Sequence, residues 1–197
     1  MRAYFLKSPE MQLELRDIPT PQPKPGQHLV RVRAAGLNRG EFLRHGLTKP
    51  GPAKIGGTEG AGELPSGERI MGRLPGSFAE YALMDAEDAV PVPQNLSWEE
   101  AAAIPLTFMV VYDMLVQQGN LKKGEWLLVT GVSAGVGVAA LLAGKALGAK
   151  VIGTSGSAEK LAKLKTLGLD LAIQTRKADF HDAVMQATGN KGVDLVV

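Results

Sequence analysis

At 197 residues, 45% of them hydrophobic and 21% charged, the chain has the makeup of a globular protein of one or two compact units. A net charge of +2 lacks the surplus of Lys and Arg that a nucleic-acid footprint needs, and no run of about 18 apolar residues or N-terminal apolar leader is present, so neither nucleic acid nor membrane is expected as a partner. The absence of cysteine excludes disulfides, thiolate metal ligands and cysteine nucleophiles together, and agrees with a reducing, cytoplasmic setting.

All twelve prolines lie at or before Pro105, and the character of the chain changes there. In the first part, His28 to Asn38 alternates apolar and polar side chains between stretches rich in Pro and Gly, which predicts short antiparallel strands in a barrel-like β unit. Ser97 is placed to cap a helical connector over Trp98 to Gln118, with Glu99 and Glu100 in its first turn and a break at Pro105. Beyond it the pattern becomes strand and helix in alternation. Strands are expected at Trp126 to Thr130, Lys150 to Thr154, Leu169 to Gln174 and Val193 to Val197. Helices are expected at Gly135 to Leu147, from the Ser157 cap to Leu167, and at Ala178 to Ala187. Such alternation predicts an α/β fold with a doubly wound parallel sheet. The expected division is a β-rich unit with its connector over 1–118 and a βαβ unit over 119–197. An apolar strand with nothing to cover its far side is a poor place for such a sheet to stop, so further strands are expected beyond Val197 in a longer protein.

Between the first of these strands and its helix runs Gly131-Val132-Ser133-Ala134-Gly135-Val136-Gly137. A strand that enters a helix through such a turn leaves amides unpaired at the positive end of the helix dipole, and these attract an anion. Without a Cβ at Gly135 and Gly137, a pyrophosphate can approach the backbone and the helix can sit close to the strand. Ser133, Ala134, Gly135, Val136 and Gly137 are therefore candidate contacts for a dinucleotide. The same glycines would also serve a helix that merely packs closely on its strand. The next strand ends in Thr154-Ser155-Gly156-Ser157-Ala158-Glu159-Lys160, where an NAD site usually offers an acid to the ribose. Small hydroxylated residues followed by Lys160 favour a 2′-phosphate, and so NADPH (NADP), with Ser155 or Ser157, Gly156 and Lys160 as contacts. Glu159 complicates this reading, and its place in the first helical turn gives it an alternative use.

Five ordered blocks, Ala34 to Phe42, Gly57 to Gly62, Gly76 to Tyr81, Ala101 to Leu115 and the glycine turn, resemble the zinc-independent quinone oxidoreductases (zeta-crystallin-like) of the medium-chain dehydrogenase/reductase superfamily. The resemblance implies a GroES-like catalytic domain with its helical connector over 1–118, followed over 119–197 by the first four strands of a Rossmann domain. It implies NADPH in the cleft between them and a small-molecule quinone or α,β-unsaturated carbonyl as the acceptor of its hydride. It also implies a homodimer in the full-length protein. Where zinc-dependent relatives carry a Cys and a His, this chain has Asn38 and Thr58, so no catalytic zinc is expected. Asn38 inherits a catalytic place near nicotinamide and substrate, and Arg39 is a candidate for a phosphate or ribose. Four departures stand out. Phe42 and Leu43 lie where relatives have a Tyr. Val110 takes the place of a Thr that touches the carboxamide, with Thr107 one turn away as the substitute. A Tyr on the 2′-phosphate aligns near Thr175, which leaves Arg176 as the compensating cation. Only Leu64 to Gly67 intervenes between the Gly57 to Glu63 stretch and the Glu-Arg-Ile-Met-Gly stretch that ends at Gly72, where relatives usually have about a dozen more residues. His45 has the pKa range of a proton donor. Two rival readings are an NADPH-binding sensor or scaffold without turnover and a short-chain-type reductase, whose Tyr-x-x-x-Lys pair is missing after the turn.

Overall fold

The computed structural model describes residues 1–7, 12–42 and 52–197. By packing, the chain divides into Met1–Leu106 and Thr107–Val197, each with its own apolar core.

The first unit carries β1 (Arg2–Lys7), β2 (Gln12–Asp17), β3 (Gln27–Ala35), α1 (Arg39–Phe42), β4 (Lys54–Ile55), β5 (Glu59–Glu63), β6 (Arg69–Arg73), β7 (Tyr81–Asp85), β8 (Val90–Pro91) and α2 (Trp98–Ala102). Strands β7-β3-β5-β6-β8 form one antiparallel sheet and β2-β1-β4 another, so the expected antiparallel β unit is present. Val30, Ile70, Ala82 and Met84 close its core from β3, β6 and β7, with Leu74 just past the end of β6. The register of β3 on β5 shifts between Val32 and Ala34, a bulge that leaves Arg33 out of step, and pairing resumes as far as Ala35 opposite Gly60. This register delivers the chain after β3, Gly36 to Asn38, beside the first residue of β5, Glu59. The short segment from Leu64 makes a tight hairpin, closed by Leu64 N donating to Glu68 O at 2.9 Å. Ser97 caps α2 as the sequence predicts: it accepts from Glu100 N while the Glu100 carboxylate accepts from Ser97 N.

In the second unit come α3 (Pro105–Tyr112, whose first residues precede the boundary), β9 (Trp126–Val129), α4 (Gly135–Ala146), β10 (Lys150–Ser155), α5 (Ala158–Lys165), β11 (Leu171–Gln174), α6 (His181–Ala187) and β12 (Leu195–Val196). Pro105 ends the reach of α2 and opens α3, a position where its missing N–H costs nothing. From Asp113 to Gln118 the helix widens to π turns that end in Gly119 N donating to Met114 O at 3.0 Å. Sheet order is β11-β10-β9-β12 with every pair parallel, the doubly wound arrangement expected from the strand and helix alternation. Val111 and Leu115 belong to this unit's core along with Leu127, Val129, Leu141 and Val151. Packing therefore divides the chain at Leu106, whereas the sequence keeps the helical connector with the first part as far as residue 118. Helix α6 starts at His181 rather than Ala178, because the Thr175 hydroxyl accepts from Lys177 N at 3.0 Å and donates to the Asp179 carboxylate, holding those residues in a loop.

Candidate functional site

The glycine turn is fixed to the tip of β10 by its backbone. Gly131 N donates to Thr154 Oγ1 at 3.1 Å, Val132 N to Thr154 O at 2.9 Å, and Ala134 N to Gly131 O at 2.9 Å. Ala134 then caps α4 in extended conformation with a methyl group that accepts nothing, so it leaves the first-turn amides of Gly135, Val136 and Gly137 without a side-chain acceptor. The two glycines meet opposite demands. A Cβ on Gly137 would lie 2.6 Å from Gly131 O and 2.7 Å from Val132 Cα, so helix and turn touch there. A Cβ on Gly135 would meet nothing within 4 Å, so the space over the helix start is open.

Next to it a cavity of about 790 Å³ lies across the C-terminal ends of β9, β10 and β11. Of the residues singled out in the sequence its lining includes Ser133, Ala134, Ser155, Gly156, Ser157, Lys160, Thr175 and Arg176. The serine hydroxyls have internal partners. Ser133 Oγ and Ser155 Oγ are 2.8 Å apart, and Ser155 Oγ also accepts from Ser157 N at 3.3 Å. Ser157 Oγ caps α5 by accepting from Lys160 N at 3.3 Å. Glu159 pairs with Lys163 at 2.9 Å one turn along α5, and does not line the cavity. Arg176 lies over the backbone of Gly156: a Cβ there would come 2.5 Å from Arg176 Nε. The lining includes no acidic side chain and adds two groups that sequence reasoning passed over, Lys177 and Phe180. Both follow from the loop that Thr175 and Asp179 hold. The only signal for them in the sequence is the Arg-Lys pair after the third strand.

Other expected residues lie elsewhere. Gly135, Val136 and Gly137 start α4 beside the cavity without lining it, and Thr107 and the 39% exposed Val110 lie on α3, also outside the lining. Asn38 belongs to the first unit, and Arg39 is exposed at the start of α1. Phe42 stacks on Phe78 with ring centroids 6.2 Å apart, so this departure from a Tyr supports apolar packing. Leu43 and His45 lie outside the described residues.

Asn38 is held by two carboxylates. Its backbone N donates to Glu41 Oε2 at 2.9 Å and its Nδ2 donates to Glu59 Oε1 at 2.7 Å. Glu59, only 2% exposed, also accepts from Leu106 N at 2.7 Å. Glu59 escaped the sequence reading although an acid in a strand of small residues, Glu-Gly-Ala-Gly-Glu, is out of place on propensity grounds. Among the described residues no three His, Cys, Asp or Glu side chains group to hold a metal, and no helix is long and apolar enough to cross a membrane.

Comparison with known proteins adds four similarities. The zinc-binding dehydrogenase family matches residues 135–197. The quinone oxidoreductase of Homo sapiens is 32% identical over 213 residues, an overlap that takes in 100% of this chain and 64% of the human protein. Among solved structures, the quinone oxidoreductase of Thermus thermophilus, known also in complex with NADPH, is 34% identical with a TM-score of 0.85 over 100% of this chain and 65% of its own. An NAD-dependent alcohol dehydrogenase is 31% identical with a TM-score of 0.89 over 100% of this chain and 70% of its own. The chain thus spans less than two thirds of the length of the curated quinone oxidoreductases it matches.

Proposed function

The chain belongs to the medium-chain dehydrogenase/reductase superfamily, and from that premise we propose that the protein is an NADPH-dependent reductase, working without catalytic zinc, that delivers hydride to a small quinone or α,β-unsaturated carbonyl. The observation that carries this reading is the cation-lined, acid-free cavity beside the uncapped start of α4. A dinucleotide fits these residues. The amides of Gly135, Val136 and Gly137 would take the pyrophosphate in the open space over Gly135, while Ala134 N is already committed to Gly131. Lys160, Arg176 and Lys177 would surround a 2′-phosphate, and the apolar face of Phe180 would border the adenine. Glu159, engaged with Lys163, does not oppose that phosphate.

When bound, NADPH supplies the hydride; the chain's own residues bind, orient and exclude water. Asn38 would lie by the reacting groups and offer hydrogen bonds to the oxygen that gains charge. Zinc does not fit the donors that the sequence puts at the ligand positions. Asn38 Nδ2 is bonded to Glu59, Thr58 is an exposed hydroxyl, and no thiolate exists in the chain. The short-chain reading lapses with the superfamily assignment. The sensor reading differs from ours in one measurable respect, turnover. Fluorescence titration should give tighter binding of NADPH than of NADH by about tenfold for each phosphate contact worth ~1.4 kcal/mol. An assay with 1,4-benzoquinone should then consume NADPH; tight binding with no consumption across several quinones and enones would favour the sensor.

A further inference from the structure

We infer that Glu59 is a positioning residue whose carboxylate sets the Asn38 amide, an inference that rests on the reductase reading of Asn38. A carboxylate buried this deeply needs donors for its oxygens, and each oxygen has one: Nδ2 of Asn38 and the backbone N of Leu106, both at 2.7 Å. Its own backbone is fastened to the same loop, since Gly36 N donates to Glu59 O at 3.2 Å. Gly36 also walls the carboxylate in. A Cβ at that position would lie 2.6 Å from both Cγ and Cδ of Glu59, so any larger residue there pushes the carboxylate off its partners.

The chemistry of the pair fixes a direction. Both oxygens of the carboxylate accept here, so it is the nitrogen side of the Asn38 amide that faces it. Asn38 Oδ1 is thereby turned to the opposite side of the amide, able to accept from a donor on a bound molecule, and the second Nδ2 proton remains to be donated. Without this partner the amide is free to turn over and exchange acceptor for donor. The other oxygen is occupied at the start of α3. Leu106 is the second residue of that helix, where N–H groups lack helical partners, and a carboxylate there satisfies one of them and complements the dipole. Both oxygens of this buried acid are thus spent within its own unit, one on the candidate catalytic amide and one on a backbone N–H.

Two variants reach Glu59 by different routes on the intact protein. Glu59→Gln keeps its shape and removes one acceptor; Gly36→Ala keeps its charge and displaces it. In a ¹⁵N-labelled sample the Asn38 side-chain amide, identified by its disappearance in Asn38→Ala, should show one proton shifted downfield and slow to exchange. Both variants should move that signal towards the values of a solvated amide. The kcat for NADPH-dependent reduction of 1,4-benzoquinone should fall about 10- to 100-fold in each, with the Kd for NADPH changed by no more than about twofold. The double variant Asn38→Ala with Glu59→Gln should be no slower than Asn38→Ala alone, because both changes remove one interaction. An Asn38 signal untouched by Glu59→Gln, or losses that multiply in the double variant, would overturn the inference. If the unaltered protein binds NADPH but reduces no quinone or enone, it is the reductase reading that fails, and the Asn38 signal still decides whether Glu59 holds the amide.

Discussion

Three cations, Lys160, Arg176 and Lys177, face the cavity beside the glycine turn on a lining that carries no acid. Lys160 and Arg176 stand out as cations after strand tips, and both do line the cavity. Ser155 and Ser157 stand out as hydroxyls, yet their oxygens are spent within the turn and the α5 cap, an allocation that spacing along the chain does not reveal. Lys177 goes unnoticed because it reaches the cavity only through the loop that Thr175 and Asp179 close. If these cations select the 2′-phosphate, Arg176→Ala and Lys177→Ala should each weaken NADPH binding by about tenfold, the value of one charge-assisted hydrogen bond, and leave NADH binding almost unchanged. Titrations with both nucleotides check this. Equal losses for NADPH and NADH would move the two residues off the phosphate and onto the part that the nucleotides share. Raising the salt concentration should shrink the preference for NADPH, since the cations are exposed and their attraction is screened.

At the level of elements, the parallel half of the fold was legible because two signals agree there: apolar runs of strand length and glycines at the turns. Strands β9 to β12 fall inside their expected spans to within a residue, and α5 starts at the expected Ser157 cap. Strand β2 gave no comparable signal, for it is exposed along most of its length and carries Leu13 and Leu15 outward. Helix α4 tests the division of labour within the turn. Gly137→Ala places a methyl group against the Gly131 carbonyl and the Val132 backbone, and overpacking of this kind should lower stability by about 1–3 kcal/mol. Gly135→Ala places its methyl group in open space, and a helix gains by losing a glycine, so stability should hold or rise by up to about 1 kcal/mol. The same methyl group stands where the pyrophosphate would approach, so NADPH binding should weaken in the variant that folds better. Urea unfolding and NADPH titration of both variants give the comparison; a Gly135→Ala protein that binds NADPH unchanged would put the pyrophosphate away from this helix start.

For the chain as a whole, the change of composition at Pro105 marks a real change of architecture, antiparallel sheets before it and a parallel sheet after it. The place of α3 was harder to read, because a helix of nearly uniform apolar character does not declare which core it joins. Val111 and Leu115 put it with the parallel sheet. The chain has two tryptophans, one in each unit: Trp98 under the Arg69 guanidinium at 4.3 Å, and Trp126 at the start of β9 with the Lys150 ammonium 5.2 Å from its ring centroid. In Trp98→Phe the remaining emission reports the unit that carries the glycine turn and its cavity. A ligand held by the folded state alone stabilises it by about 2.7 kcal/mol at a hundredfold its Kd. With a urea dependence of roughly 1–3 kcal/mol per M, NADP⁺ at that level should move the Trp126 transition upward by about 1–3 M. NAD⁺ at the same concentration should move it less, by the margin that the 2′-phosphate contributes. A Trp126 transition indifferent to both nucleotides would mean that neither the helix start nor the cation-lined cavity of this unit holds them, and the reductase reading would lose its cofactor site.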